Sequence, residues 1–258
     1  MRILGLDFFE GTVAQAVDRA LSSAALIVAP SGTCFTRLQR DEIYRRAMTH
    51  ADLILPDSGF MVLLWRLLRG KRLQRISGLA YLNDLLGRDA FRQDRSILWV
   101  LPDESARDIA LVWLQDHGYL TTADDCHVAP IYGTCVEDSA LLESMRMRKP
   151  GHVVIALSGG VQEKLGFYLR EKLFAPADLR PPTSDLRYPV IHCIGAALGF
   201  ITGYQVAIPT WADRLYLGWL IRLLANPRKF FPRAMSALAL PGMIMKYGQA
   251  LPPFFDSE

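Results

Sequence analysis

The chain has 258 residues, 51% of them hydrophobic, which excludes general disorder and fits one large α/β domain or such a domain with a short appendage. Its 29 basic and 26 acidic residues leave a formal charge of +3, too mild to call for a nucleic-acid partner, so basic residues matter only where they cluster. Asp7 and Glu10 interrupt any secretory leader, and the apolar stretches near 194–208 and 234–245 are shorter than the ~20 residues of a spanning helix. The expectation is a cytoplasmic protein, soluble or peripheral on the membrane.

Taken in chain order, the first element is a helix: Thr12 stands at its cap, and Val13, Ala16, Val17, Ala20 and Leu21 make one apolar stripe. Six short apolar runs follow at 26–29, 53–55, 97–101, 127–131, 153–157 and 190–194, with helical patterns between them. Runs apolar at every position suit strands buried on both faces, so the fold class is α/β, a doubly wound, Rossmann-like, mostly parallel sheet. The proline-rich stretch 176–189 reads as an irregular excursion, and Pro209 marks the passage into a C-terminal helical appendage, dividing the chain into 1–208 and 209–258.

Cys34, Cys126, Cys135 and Cys193 are widely spaced, with His127 and His192 only as immediate neighbours. Adjacent side chains on a strand point to opposite faces, so neither His–Cys pair chelates one ion, and the four read as buried free thiols of a reducing compartment. No Asp-x-Asp triplet offers a metal carboxylate pair, and Asp124-Asp125 reads as a solvated turn. Neither a metal nor a cofactor is expected.

Open α/β sheets bind ligands beyond the carboxyl ends of their strands. The residues there are Ser31-Gly32-Thr33, Asp57-Ser58-Gly59, Asp103-Glu104, Tyr132-Gly133-Thr134, Ser158-Gly159-Gly160 and Gly195. Asp57 leaves an apolar strand on a tight loop, where partial desolvation raises its pKa and suits it to accept a proton from an attacking hydroxyl. Equally, it reads as the cap of a helix beginning near Gly59. Ser158-Gly159-Gly160-Val161-Gln162-Glu163 opens a helix whose N–H groups suit a diphosphate, with Gln162 reaching a sugar or base; it also reads as a plain strand-to-helix turn. No Gly-x-Gly-x-x-Gly follows any strand, so a dinucleotide is not implied. Arg75, ahead of the next helix, is either a phosphate ligand or a solvated surface arginine.

Residues 209–233 join helically spaced Trp211, Leu215, Trp219, Leu220, Leu223 and Leu224 to the cations Arg214, Arg222, Arg228, Lys229 and Arg233. Such a segment either lies on an anionic membrane surface with its cations snorkelling, or packs on its own core.

In this order the segments resemble the WecG/TagA/CpsF family of bacterial glycosyltransferases from Asp7 to about Arg233. Asp7-Phe8-Phe9 with Gly11-Thr12 is similar to the family's opening, and Ala51-Asp52-Leu53-Ile54-Leu55-Pro56-Asp57 resembles its Ala-Asp-Leu-(apolar)-Leu-Pro-Asp-Gly motif. Arg75-x-x-Gly78 and Gln162-Glu163 match two further landmarks, as do Pro209, Trp211, Trp219, Arg222, Pro227 and Arg228 near the end. The resemblance implies a metal-independent, inverting transfer of a sugar from a nucleotide diphosphate donor, UDP-linked, to a polyprenyl-diphosphate-linked saccharide at the inner leaflet, in bacterial surface or exopolysaccharide synthesis. It implies Asp57 as general base with Arg75 and Gln162 in the same pocket, and the strand-end loops add Ser31, Thr33, Ser158, Gly159, Gly160 and Glu163 as the residues expected to bind the donor. Trp211, Arg214, Arg222, Arg228, Lys229 and Arg233 then meet the lipid acceptor and the membrane, and a homo-oligomer is compatible with the apolar surface.

The chain departs from the family pattern where ligands bind. Ala29-Pro30-Ser31 replaces Thr-Pro-Asn, Thr33 stands at an acidic or polar position, Ser58 replaces Gly, and Ala80 replaces Asp. Leu101-Pro102-Asp103-Glu104 replaces a glycine-rich turn, Ser158-Gly159-Gly160 replaces Gly-x-Pro, and Gly199 and Gly218 stand at typically acidic positions. Two expectations follow: a transferase with its own sugar specificity, or a catalytically weak relative serving as an assembly or regulatory subunit.

Overall fold

A computed structural model describes residues 1–22, 25–94, 96–173, 188–205, 235 and 237–255. Two short strands, β1 (Arg2–Ile3) and β2 (Leu6–Asp7), form an antiparallel hairpin. Leu4 and Gly5 turn it, both with positive φ. The main sheet holds β3 (Leu26–Val28), β4 (Leu53–Ile54), β5 (Ile97–Leu101), β6 (Cys126–Val128), β7 (His152–Ile155) and β8 (Val190–Cys193) in the order β4-β3-β8-β7-β5-β6. Every pairing in it is parallel, as the uniformly apolar runs require.

Strand alternation assigns the side chains to two cores. Leu26, Val28, Ile54, Leu98, Val100, Val153, Ile155 and Ile191 feed one, while Ile27, Leu53, Leu55, Ile97, Trp99, Leu101, Val154 and Val190 feed the other. The first face is covered by α2 (Glu42–Thr49), α3 (Gly59–Arg69), α7 (Ser139–Arg148) and α8 (Val161–Leu173). The second is covered by α1 (Val13–Leu21), α4 (Gly78–Leu86), α5 (Asp89–Arg92), α6 (Glu104–Asp116) and α9 (Ala197–Thr202). Thr12 caps α1 in a capping box with Gln15, as its place before the apolar stripe suggests.

The last helix, α10 (Leu240–Tyr247), buries Leu240, Met243 and Ile244 in the first core beside α3. Leu4 and Gly5 donate their N–H groups to the carbonyls of Gly248 and Gln249, Arg69 reaches the carbonyls of Ile244 and Met245, and Phe255 donates to Gln39. Residues 240–255 are therefore fastened to the body of the fold, although they fall within the 209–258 segment that the proline punctuation sets apart.

Three expectations need correction. The strand expected at 127–131 ends at Val128, because Pro130 has no N–H for the ladder, and Ile131 stands fully exposed. The thiols are not uniformly buried: Cys34 and Cys193 are, Cys126 is half-buried and Cys135 is exposed. Asp125 is not a solvated turn residue but a buried one, accepting from the N–H and hydroxyl of Thr122 and pairing with Arg148.

The chain runs outward from β3 to β4 on one side and from β5 to β6 on the other. Since β7 leads back toward β8, the order reverses between β5 and β7. That reversal opens a crevice at the carboxyl ends, where open α/β sheets hold ligands.

Candidate active site

Asp57 follows β4 and is half-buried. It does not cap the helix that follows it; Ser58 does, accepting the N–H of Met61. The Asp57 Oδ1 instead accepts the N–H of Gly78 at 2.9 Å, at the amino end of α4, where the helix dipole favours negative charge. Two more bonds lash the same segments together: Ile76 N–H to the Pro56 carbonyl at 3.2 Å, and Arg75 Nε to the Asp57 main-chain carbonyl at 2.8 Å. Arg75 is thus held against Asp57 rather than solvated on a remote surface.

The neighbouring strand ends close around this point. Ser31 begins a 3-10 helix over Gly32–Gln39, with its hydroxyl 3.0 Å from that of Thr33 and 3.3 Å from the Cys34 sulfur. Gly32 lies so near Ser58 that a Cβ on it would stand 2.6 Å from the Ser58 Oγ, and a Cβ on Gly159 would stand 3.0 Å from the Cys34 sulfur. Gly78 meets the Ile194 carbonyl in the same way, its notional Cβ at 3.0 Å. Small residues therefore let the loops after β3, β4, β7 and β8 converge.

The turn after β7 is more closed than its sequence suggests. Gly160 has φ of +90° and donates its N–H to the Glu163 Oε2 at 2.6 Å, while the N–H groups of Val161 and Gln162 both turn to the Ser158 carbonyl at 3.2 Å. These three N–H groups are engaged within the protein rather than presented to a diphosphate. Glu163 is completely buried, and burial pushes its pKa up, against the pull of the nearby Arg37 charge. Gln162, also buried, accepts the Gly195 N–H through Oε1 and donates to Glu163 at 3.2 Å. Its amide ties α8 to the end of β8. Ser158 is exposed, so of this turn its hydroxyl is the polar side chain that faces solvent.

The crevice at the β5/β7 reversal is lined by Leu101, Pro102, Ala106, Ala156, Gly199 and Tyr204, among others. Asp103 caps α6 by accepting the N–H of Ala106 at 2.8 Å and also accepts the Tyr204 hydroxyl. The Tyr204 bond, with that N–H, holds the Asp103 carboxyl below the usual range, and the same bond pushes the Tyr204 hydroxyl up to about 12.

Two contributors lay beyond the sequence reading. Arg37 arrives from the 3-10 helix and packs over Gly160, where a Cβ would come within 2.7 Å of its Cζ; Tyr204 sits 101 residues from the carboxylate it meets. Neither falls in a strand-end loop, so position along the chain carries no signal for them. Trp211, Arg214, Arg222, Arg228, Lys229 and Arg233 lie outside the described residues. Among the described residues no group of three or more His, Cys, Asp or Glu is placed to hold a metal ion, and no helix is long and apolar enough to cross a membrane.

Fold and site together define an open α/β protein whose ligand site spans the carboxyl ends of its parallel strands. The family model described as "Glycosyl transferase WecG/TagA/CpsF family" matches residues 1–251. The chain belongs to that family, as its motifs suggested, and is a glycosyltransferase that moves a sugar from a donor to an acceptor. Comparison with curated proteins finds no match.

Proposed function

We propose that this glycosyltransferase takes a hexose or N-acetylhexosamine from a UDP-linked donor and adds it, with inversion, to a polyprenyl-diphosphate-linked saccharide during bacterial surface or exopolysaccharide synthesis. The observation that carries this reading is the position of Asp57, a half-buried carboxylate at a strand end, steadied through one oxygen by the Gly78 N–H and braced by Arg75. In the reaction Asp57 takes the proton of the acceptor hydroxyl as that oxygen bonds to the anomeric carbon. The bond from that carbon to the nucleotide diphosphate breaks on the opposite side, and its electron pair leaves with the diphosphate.

The hydroxyls of Ser31, Thr33 and Ser158 and the backbone at Gly159 and Gly160 line the donor's path, with the exposed Arg37 guanidinium beside them to meet diphosphate charge. Gln162 and Glu163 act from behind, holding Gly195 and Gly160 in place. The Tyr204 hydroxyl and the Asp103 carboxylate meet at the β5/β7 reversal, where open α/β sheets hold ligands, and this is the end of the site given to the donor's base. The acceptor's lipid places the enzyme at the inner face of the cytoplasmic membrane, with Trp211, Arg214, Arg222, Arg228, Lys229 and Arg233 as contacts to diphosphate and membrane.

Steady-state transfer with Asp57→Asn tests the reading. Turnover should fall on the order of 100-fold or more while donor affinity stays nearly unchanged. An equal loss of donor affinity would make Asp57 a ligand-positioning residue instead.

A further inference from the structure

Helix α3 begins at the base: Ser58, its cap, follows Asp57 directly. Its inner face buries Met61, Val62 and Trp65, yet its outer face is apolar as well, with Leu63 44% and Leu67 80% exposed one helical turn apart. Helix α10 belongs to the same layer and packs beside α3, stapled by Arg69. It too turns apolar groups outward, Met245 at 62% and, just ahead of it, Leu238 at 63%. Isolated exposed leucines need no explanation, but outward apolar groups on two adjoining helices do.

Charge identifies what covers them. Between Asp57 and Asp84 there is no carboxylate, while Arg66, Arg69, Lys71, Arg72 and Arg75 fall within that interval. The described residues that carry α10, 235 and 237–255, also contain no carboxylate, and Lys246 stands exposed on the helix itself. In a chain whose cations and carboxylates are nearly balanced, two adjoining elements with cations alone form a basic, apolar face. A protein partner would be expected to meet so many cations with carboxylates at fixed positions. An anionic bilayer accepts them without fixed geometry and takes the leucines into its acyl boundary.

We infer that the outer face of α3 and α10 is a membrane-docking surface for anionic lipid, formed by Leu63, Leu67, Leu238 and Met245 and flanked by Arg66, Lys71 and Arg72. The surface is made of residues outside the 209–233 segment and gains its purpose from the lipid-acceptor reading above. It also sets distance. The 11 residues of α3 span roughly 16 Å at about 1.5 Å per residue, so docking along this helix holds Asp57 within about one helix length of the headgroups. The 71–77 connection then leads from the surface cations Lys71 and Arg72 inward to Arg75 at the Asp57 loop.

The test is sedimentation of the full chain with phosphatidylcholine vesicles, with and without phosphatidylglycerol, for the wild type, Leu63→Gln/Leu67→Glu and Arg66→Ser/Arg72→Ser. All four side chains point to solvent, and unchanged thermal melting would verify folding. The leucine variant should lose on the order of tenfold in partitioning to anionic vesicles. The arginine variant should lose affinity only where phosphatidylglycerol is present, and less at high salt. Wild-type partitioning in both variants overturns the inference. So does a leucine variant that changes the lipid-free sedimentation coefficient but not vesicle binding, since the face would then join copies of the chain. Transfer to a short-chain, water-soluble acceptor separates this from the function: the leucine variant should retain it. A wild type that docks through α3 but transfers to no prenyl diphosphate would sink the functional reading alone.

Discussion

Arg75 donates from Nε to the main-chain carbonyl of Asp57, 2.8 Å away, so the guanidinium braces the loop that carries the carboxylate. A planar fork can hold one partner through Nε and face another with its terminal nitrogens, whereas an ammonium group gathers its donors on one terminal atom and has none at the Nε position. Arg75→Lys therefore keeps the charge and loses the brace. Turnover should fall about tenfold, with the melting temperature nearly unchanged because Arg75 is only half-buried. Steady-state kinetics beside a thermal melt decide it: wild-type turnover in the lysine variant would show that charge alone suffices.

Glu163 gives a stability prediction with a definite sign. Burial raises its folded pKa, so the folded protein holds the proton more tightly than the unfolded chain. Stability from this group is complete below the ordinary carboxylate pKa and is lost as pH rises through the folded value. Glu163→Gln keeps an acceptor for the Gly160 N–H and removes the buried charge. The variant should match the wild type near about pH 4 and exceed it increasingly toward neutrality, read as denaturant midpoints across the range. A glutamine variant less stable than wild type at neutral pH would mean that the carboxylate, held by the Gly160 N–H and the Gln162 amide, is the stabilising form.

Why the fold was readable and the site only partly so follows from these residues. Uniform apolar runs such as 97–101 announce a strand covered on both faces, and β5 occupies those bounds. Thr12 with Gln15 is local chemistry, complete within four residues. The opening hairpin escaped because Leu4, a bulky residue, takes positive φ, which no sequence rule favours. Asp57 and Arg75 stood out as polar residues beside apolar strands or glycine turns. What Asp57 touches is Gly78, 21 residues on, and only the packing of α4 against β8 determines that contact. Glu163 reads as a donor-pocket residue beside Gln162, and nothing in one dimension shows that it is sealed inside.

Tyr204 and Asp103 offer a test of the crevice. Removing the hydroxyl leaves Asp103 capping α6 through the Ala106 N–H, so the helix survives, but the crevice wall loses its tie. Tyr204→Phe should weaken UDP binding about fivefold, the worth of one hydrogen bond near 1 kcal/mol, and leave turnover at saturating donor almost untouched. Calorimetric titration with UDP measures this directly. Unchanged affinity would move the base away from the β5/β7 reversal.

A second pH dependence comes from a buried polar chain that crosses the second core. The Tyr81 hydroxyl lies 2.9 Å from the His192 Nδ1, the His192 Nε2 lies 3.2 Å from the His152 Nδ1, and the His152 Nε2 stands 3.8 Å from Asp94. Phe91 packs on both imidazoles. Burial lowers both histidine pKa values; for His192 the neighbouring His152 adds to it, and for His152 the charge of Asp94 opposes it without prevailing. Each ring is held neutral when folded, so the unfolded chain binds protons more readily. The stability they contribute is fully present above the ordinary histidine pKa and is lost as pH falls from there toward the depressed folded values. Denaturant midpoints should therefore begin to drop as pH falls through the unfolded histidine value of about 6.5 and go on dropping over this acid window. His152→Gln, which still offers a polar partner to His192, should flatten that drop while costing some stability at neutral pH. If wild type and variant fall in parallel over this window, the acid sensitivity belongs to other groups and the imidazole pair is a passive part of the core.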